Sequence, residues 1–356
     1  MKKYNPFLQI SLFRSNIIGF ATLFCILFAH NILAATRNAG TEATFLDAYT
    51  NSATSNDIIS LTNNIVVTSE LLLDKNITIN GNGYTISVPN PGLDDMGKFT
   101  TGASEFRVFT ISHGFTVIMN NLTIKGGNLT YGNGGAIQVM STAILNLNNC
   151  IISNSRNSYS GGGGVSNDGV VFLSNSLIYR NAAIYGGGVL NLGTMYVENS
   201  TFSENRSTSD GGGGGACENQ GFLFINNSTI SNNQSTEIGG GINNIGGTLY
   251  IVNSSVTGNV AYGATEYTGG GIGNNSGWVH AVNTLFAHNY HIQSGTVDHP
   301  TSYELDDIKA YSLQEQVDLY YCVYHAALPA SANNVIGNKQ YTGLQNGTDD
   351  TIFSGG

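Results

Sequence analysis

The segment Gly186-Gly187-Gly188-Val189-Leu190-Asn191-Leu192-Gly193-Thr194-Met195-Tyr196-Val197-Glu198-Asn199-Ser200-Thr201-Phe202-Ser203-Glu204-Asn205 carries the plan of the chain. A glycine run leads to Val189 and Asn191, then a turn at Gly193, the apolar alternation Met195/Val197, Asn199-Ser200, and finally Phe202 and Asn205. Short alternating runs broken by Gly and Asn are strands separated by tight turns. The same pattern occurs six times between Gly134 and Asn289. It opens at Gly134-Gly135-Ala136-Ile137, Gly161 to Val165, Gly186 to Val189, Gly211 to Cys217, Gly239 to Ile242 and Gly269 to Ile272. The closing apolar slot follows as Ile152, Ile178, Phe202, Ile230, Val256 and Phe286, at spacings of 26, 24, 28, 26 and 30 residues. A repeat of this length marks stacked units, none of which can bury its apolar face alone.

Each repeat offers three short strands and no helical run, so βαβ units are ruled out. Pairing every strand with its counterpart one repeat on predicts an all-β fold, a right-handed parallel β-helix of about eight coils. Leu145/Leu147, Val171/Leu173, Met195/Val197, Leu223/Ile225, Leu249/Ile251 and Val279/Ala281 then form one inward column, stacked at ~4.8 Å into a continuous core. Cys217 shares the slot of Val165, Val189, Ile242 and Ile272, which makes it a small buried apolar side chain. Asn149, Asn175, Asn199, Asn227, Asn253 and Asn283 fill one polar column; Asn167, Asn191, Asn219, Asn244 and Asn274 fill another. Stacked amides bond along a ladder, and Asn tolerates the left-handed backbone of a sharp corner. The Asn-X-Ser/Thr triplets are generated by the repeat itself and carry no weight for glycosylation.

Outside the repeats the composition changes. Lys2, Lys3 and Arg14 precede an apolar Ile17 to Leu33 ending in Ala34-Ala35, which reads as a secretory signal peptide over residues 1–35. An uncleaved anchor is the alternative, the stretch being near the shortest that spans. Without residues 1–35, 10 Lys+Arg face 23 Asp+Glu, a net charge of −13. That balance argues against nucleic acid and against anionic membranes. Membrane contact is expected only through the signal segment or an anchor outside the repeats. Three cysteines remain (Cys150, Cys217, Cys322), an odd number that makes no disulfide framework. Thr41 to Tyr49 predicts a short helix capping the stack. Entry coils run through 36–130, Gly-rich repeats through 131–289, and an irregular tail through 290–356, with last strands at Asp318 to Tyr324 and Asn333 to Gly337.

The Gly-Gly-(Ala/Gly)-(Ile/Val) openings, as at Gly134 to Ile137, pair with Phe-x-x-Asn closings at Phe202 to Asn205 and Phe286 to Asn289. Together they resemble the repeats of polymorphic outer-membrane proteins. The entry stretch Asn76-Ile77-Thr78-Ile79-Asn80-Gly81-Asn82-Gly83 is similar to the start of many pectin-lyase-like β-helix proteins. The resemblance covers about residues 40–290 and implies a β-helix serving either adhesion or polysaccharide chemistry. Members of that family usually carry a C-terminal translocator barrel, for which the 67 residues after Asn289 are too few.

Candidate sites are few. The slot between the two inward aliphatics reads Asn146, Phe172, Tyr196, Phe224, Tyr250 and His280, and by the period-2 rule it faces outward. Two readings are open: a docking face for sugar or protein, or a self-stacked row covered by the 290–356 tail. Tyr131, Tyr159, Tyr185 and Tyr267, on loops entering the glycine runs, form a second and weaker surface. Arg156, Arg180 and Arg206 leave the third strand of successive coils, Arg180 one position earlier than the other two, and stack into a basic strip beside Glu204 and Asp210, a place for a polyanion or uronate. Asp94-Asp95, Asp306-Asp307 and Asp349-Asp350 are adjacent acids in irregular segments, and Ser112-His113-Gly114 is a turn. No zinc spacing, phosphate loop or Ca²⁺ repeat is present, so no cofactor or metal is implied. The expectation is a secreted or cell-surface protein, non-catalytic and adhesin-like or structural, with a glycan or a host or cell-surface protein as partner. The alternative is a polysaccharide lyase or hydrolase working beside the arginines.

Overall fold

The computed structural model describes residues 34–52, 57–94, 97–208, 212–263, 268–296, 299–305, 308–310, 316–320, 322 and 335–337. Residues 1–33, all but the last two of the expected signal peptide, lie outside them. Among the described residues no helix is long and apolar enough to cross a membrane.

The chain winds into a parallel β-solenoid whose rungs form four sheets, of twelve, nine, nine and eight strands. In the third repeat the four rungs are Val189–Asn191, Thr194–Glu198, Thr201–Ser203 and Arg206–Ser207. We call the sheets they belong to the glycine sheet, the long sheet, the closing sheet and the corner sheet. The sequence indicated the first three rungs. The fourth is only two residues long, too short to leave a periodic signal. Register follows the aligned repeats residue for residue: Val189 pairs with Cys217, Met195 with Leu223 and Phe202 with Ile230. The regular stack has about six turns, and the expected eight is approached only by counting the irregular entry and exit coils.

The inward aliphatic column is buried throughout, Cys217 with it. At roughly 1.5–3 kcal/mol for each large aliphatic side chain taken from water, this column outweighs any surface ion pair. Burial pushes the Cys217 thiol well up, and the Cys150 thiol up to about 11. Both behave as packing groups. Cys150 stands in a serine column: the Ser176, Ser200, Ser228 and Ser254 hydroxyls each accept the backbone N–H of the coil before.

The predicted asparagine columns are present. Asn149, Asn175, Asn199, Asn227, Asn253 and Asn283 turn corners with φ between 48° and 54°. The Asn167–Asn191–Asn219–Asn244–Asn274 amides each donate to the next at 2.7 Å. A third ladder joins Asn181, Asn205, Asn233, Asn259 and Asn289, the asparagines that close each repeat, at 2.9–3.1 Å. These are buried polar groups fully satisfied along the axis, the arrangement that fixes one register.

The glycine runs are explained by close approach. Gly186 has φ 58°, and a Cβ on Gly187 would lie 2.4 Å from the Arg206 backbone of the neighbouring coil. The loops entering the runs press onto the outer side of the glycine sheet. There a Cβ on Gly161 would meet Leu190 at 2.5 Å, and one on Gly213 would meet Asn243 at 2.0 Å.

At the start, helix α1 (Glu42–Thr50) buries Phe45 and Ala48 against the first coil. The Thr41 hydroxyl accepts the Thr44 N–H at 3.2 Å, capping the helix. At the far end Tyr290–Thr296 and His299–Leu305 form an antiparallel pair. Ile308–Ala310 extends the glycine sheet, and Gln316–Tyr320 and Val335–Gly337 extend the long sheet. The last strands thus fall within or beside the predicted segments.

Candidate binding surfaces

Strand pairing places Phe172, Tyr196, Phe224, Tyr250 and His280 opposite one another on the outer side of the long sheet. Phe172 and Tyr196 stack at 5.2 Å with ring planes 8° apart, and Tyr250 and His280 at 4.6 Å and 16°. Phe224 is tilted 51° to Tyr196. Two rings that the sequence reading missed, Phe222 and Trp278, come from the neighbouring outward column, where Thr194, Phe222, Thr248 and Trp278 align. They contact Tyr196 and His280 at 5.9 and 6.1 Å. The signal was available one period-2 step away along each strand.

In the expected row Asn146 is buried and the five rings after it are half-buried, while Trp278 beside them is 47% exposed. Stacking along the axis hides ring faces and leaves edges to solvent. The described residues of the tail prolong the stack instead of lying over this row; residues 323–334 and 338–356 lie outside the description.

The loop tyrosines differ. Tyr131, Tyr159 and Tyr185 are 76, 64 and 39% exposed, and Tyr131 stacks on Tyr159 at 5.4 Å with planes 13° apart. Tyr267 lies outside the described residues. By exposure, the order of the two surfaces is the reverse of the sequence expectation.

The arginines do not form one strip. Register pairs Arg156 with Ala182, Ala182 with Arg206, and Arg206 with Gln234. Arg180 therefore sits two residues ahead of that column, at the corner shared with Asn154, Glu204 and Asn232, all with φ 52–56°. Its Nε donates to Glu204 at 2.7 Å, and this bond holds its charge on. Arg156 and Arg206 instead both lie over the ring of Phe99, at 4.1 and 4.9 Å from its centroid. Phe99 comes from the loop between Pro91 and Arg107, which folds back over the corner sheet. Leu93 of that loop is buried, and Gly92 packs on Arg156 and Asn128. The insertion carries no repeat, so sequence reasoning had no register with which to place it. Asp210 lies outside the described residues.

A cleft of ≈ 180 Å³ opens between this loop and the corner, lined by Leu93, Gly97, Arg180, Glu204, Arg206 and Gln234 among others. Desolvation lowers the Arg206 pKa, with the Arg156 charge adding to it; Arg156 is lowered chiefly by desolvation.

Of the remaining candidates, the described ones hold turns. The Asp94 carboxylate accepts the Lys98 N–H at 2.9 Å and caps a turn, while Asp95, Asp306, Asp307, Asp349 and Asp350 lie outside the described residues. His113 bonds the Ser141 turn at 2.8 Å. Among the described residues no group of three or more His, Cys, Asp and Glu is placed to hold a metal. No protein-family model and no curated protein matches the chain, so kinship reaches no further than what the coordinates establish, a parallel β-solenoid.

Proposed function

We propose that this is an exported β-solenoid related to the polymorphic outer-membrane proteins, a non-catalytic, adhesin-like surface protein that engages a glycan or another protein. The observation carrying this reading is the open row Tyr131–Tyr159–Tyr185. Tyrosine joins an apolar body to a polar tip and is enriched where proteins bind partners. Three such rings held in series on a rigid stack form a preorganised surface, which lowers the cost of binding. A glycan array probed with the chain lacking residues 1–35 tests it. Binding should be present in the wild type, lost in Tyr131→Ala/Tyr159→Ala, and kept in Tyr196→Ala. Binding that survives the loop double substitution overturns the assignment.

A polysaccharide lyase or hydrolase is the second reading, favoured only by the cleft beside Arg206, whose guanidinium burial depresses. A Ca²⁺-dependent rise in unsaturated-uronate absorbance would establish it over the first.

A further inference from the structure

Arg156 and Arg206 stand two rungs apart in one outward column, a separation of about 9.6 Å. Between them Ala182 leaves a notch, and Phe99 fills it with both guanidinium groups over its ring. A cation over an aromatic face is attracted to it, but two cations drawn to one ring repel each other. Three other basic side chains have acidic or carbonyl partners: Arg180 has Glu204, Arg107 has Glu70 at 4.0 Å, and Lys75 donates to the carbonyl of Tyr49 at 2.8 Å. The chain has 23 acidic residues to 13 basic ones. Even so, no carboxylate among the described residues pairs with Arg156 or Arg206, and the nearest one in the cleft, Glu204, is turned to Arg180.

The cleft wall next to Arg206 continues through Gln234, its neighbour in the column, and Asn232 at the corner, with Leu93 and Gly97 opposite. A fixed guanidinium with amide donors beside it is the donor set that planar or tetrahedral oxyanions fit. We propose that this cleft binds an oxyanion group (carboxylate, sulfate or phosphate ester) on a small ligand of about one ring. Arg206 forms the direct contact, Gln234 adds a hydrogen bond, and Arg156 supplies the second charge across Phe99. None of these residues belongs to the tyrosine row, so this site and the proposed adhesin role stand or fall separately.

The test is thermal unfolding of the chain in sodium chloride, acetate, sulfate and phosphate at matched ionic strength. An anion that binds the folded state raises the midpoint by mass action. At least one oxyanion should raise the wild-type midpoint beyond its effect on Arg206→Met, with an apparent affinity about tenfold weaker in the variant. Which anion acts identifies the group. In chloride, Arg206→Met keeps the stem on Phe99 and removes the repulsion, so it should melt no lower than wild type. Arg156→Met should show a smaller loss of anion response and also melt no lower, and it serves if the Arg206 variant does not fold. Equal anion responses in wild type and both variants overturn the site. So does a lower midpoint of both variants in chloride, which marks the arginines as a structural clamp.

Discussion

The long-sheet rings and the loop tyrosines make nearly the same contact in two settings. Phe172 on Tyr196 and Tyr131 on Tyr159 are both parallel stacks, at 5.2 and 5.4 Å. The first pair is half-buried and the second mostly open. The difference lies in what flanks them. On the long sheet the row runs between two further outward columns, so Tyr196 has Thr194 and Glu198 of its own strand beside it and Phe222 one coil on. The loop rings lack that much cover, with Tyr131 and Tyr159 76 and 64% exposed. Ring stacking by itself therefore says little about role. A shouldered row spends its surface on the fold, and a bare row leaves it open to solvent.

The sharpest way to break this contrast is to disturb the register both rows depend on. Asn205 accepts from the Asn181 backbone and amide and donates to Asn233 and to the Ile178 carbonyl. Asn205→Ala leaves buried donors and acceptors unmet and should cost about 3 kcal/mol, read as a drop in the urea midpoint. Next in size, Tyr196→Ala should cost about 2 kcal/mol, less than a fully buried ring, whereas Tyr159→Ala should stay within about 0.5 kcal/mol. Equal losses at the two positions would erase the distinction. A smaller effect separates corner from ladder: Asn199→Ala, at φ 50°, should lose about 1 kcal/mol to left-handed strain and Asn199→Gly much less.

How much of this was readable beforehand follows the same division. The repeat fixed the coil, the inward column, two asparagine ladders and the alignment of Phe172 through His280, because strand pairing turns sequence spacing directly into spatial order. What it missed was set by segments without a repeat. The 91–107 insertion brings Phe99 between two arginines, and no spacing announces that. Arg180 was stacked with the other arginines at an offset of one position, because the two-residue corner rung was invisible; the register makes the offset two. Exposure was misjudged for a related reason. Alternation shows which way a side chain points but not how tall its neighbours stand, so Phe222 and Trp278 went uncounted.

The smallest predicted effect probes the cover that the loops entering the glycine runs provide. Glu218 lies on the outer side of the glycine sheet, yet is only 2% exposed, beneath the loop whose Gly213 presses on Asn243. Desolvation raises its pKa above the ordinary 4.5, against the lowering effect of bonds from Gln220 at 2.8 Å and Asn243 at 3.5 Å. Below pH 4.5 the carboxyl is protonated in folded and unfolded chains alike, and the stabilising contribution of its raised pKa is fully present. As pH climbs through the raised folded value, the unfolded chain gives up its proton more readily and that contribution is lost. Glu218→Gln removes this loss and offers an N–H to the Asn243 Oδ1, which has no partner in the folded chain. The variant should match wild type at pH 4 and melt higher at pH 8. Parallel melting curves across that range would mean the loop does not keep water from Glu218. The same packing of an entry loop on the glycine sheet, Gly161 on Leu190 beside Tyr159, would then no longer count as preorganised, and the surface would have to be sought on the long sheet instead.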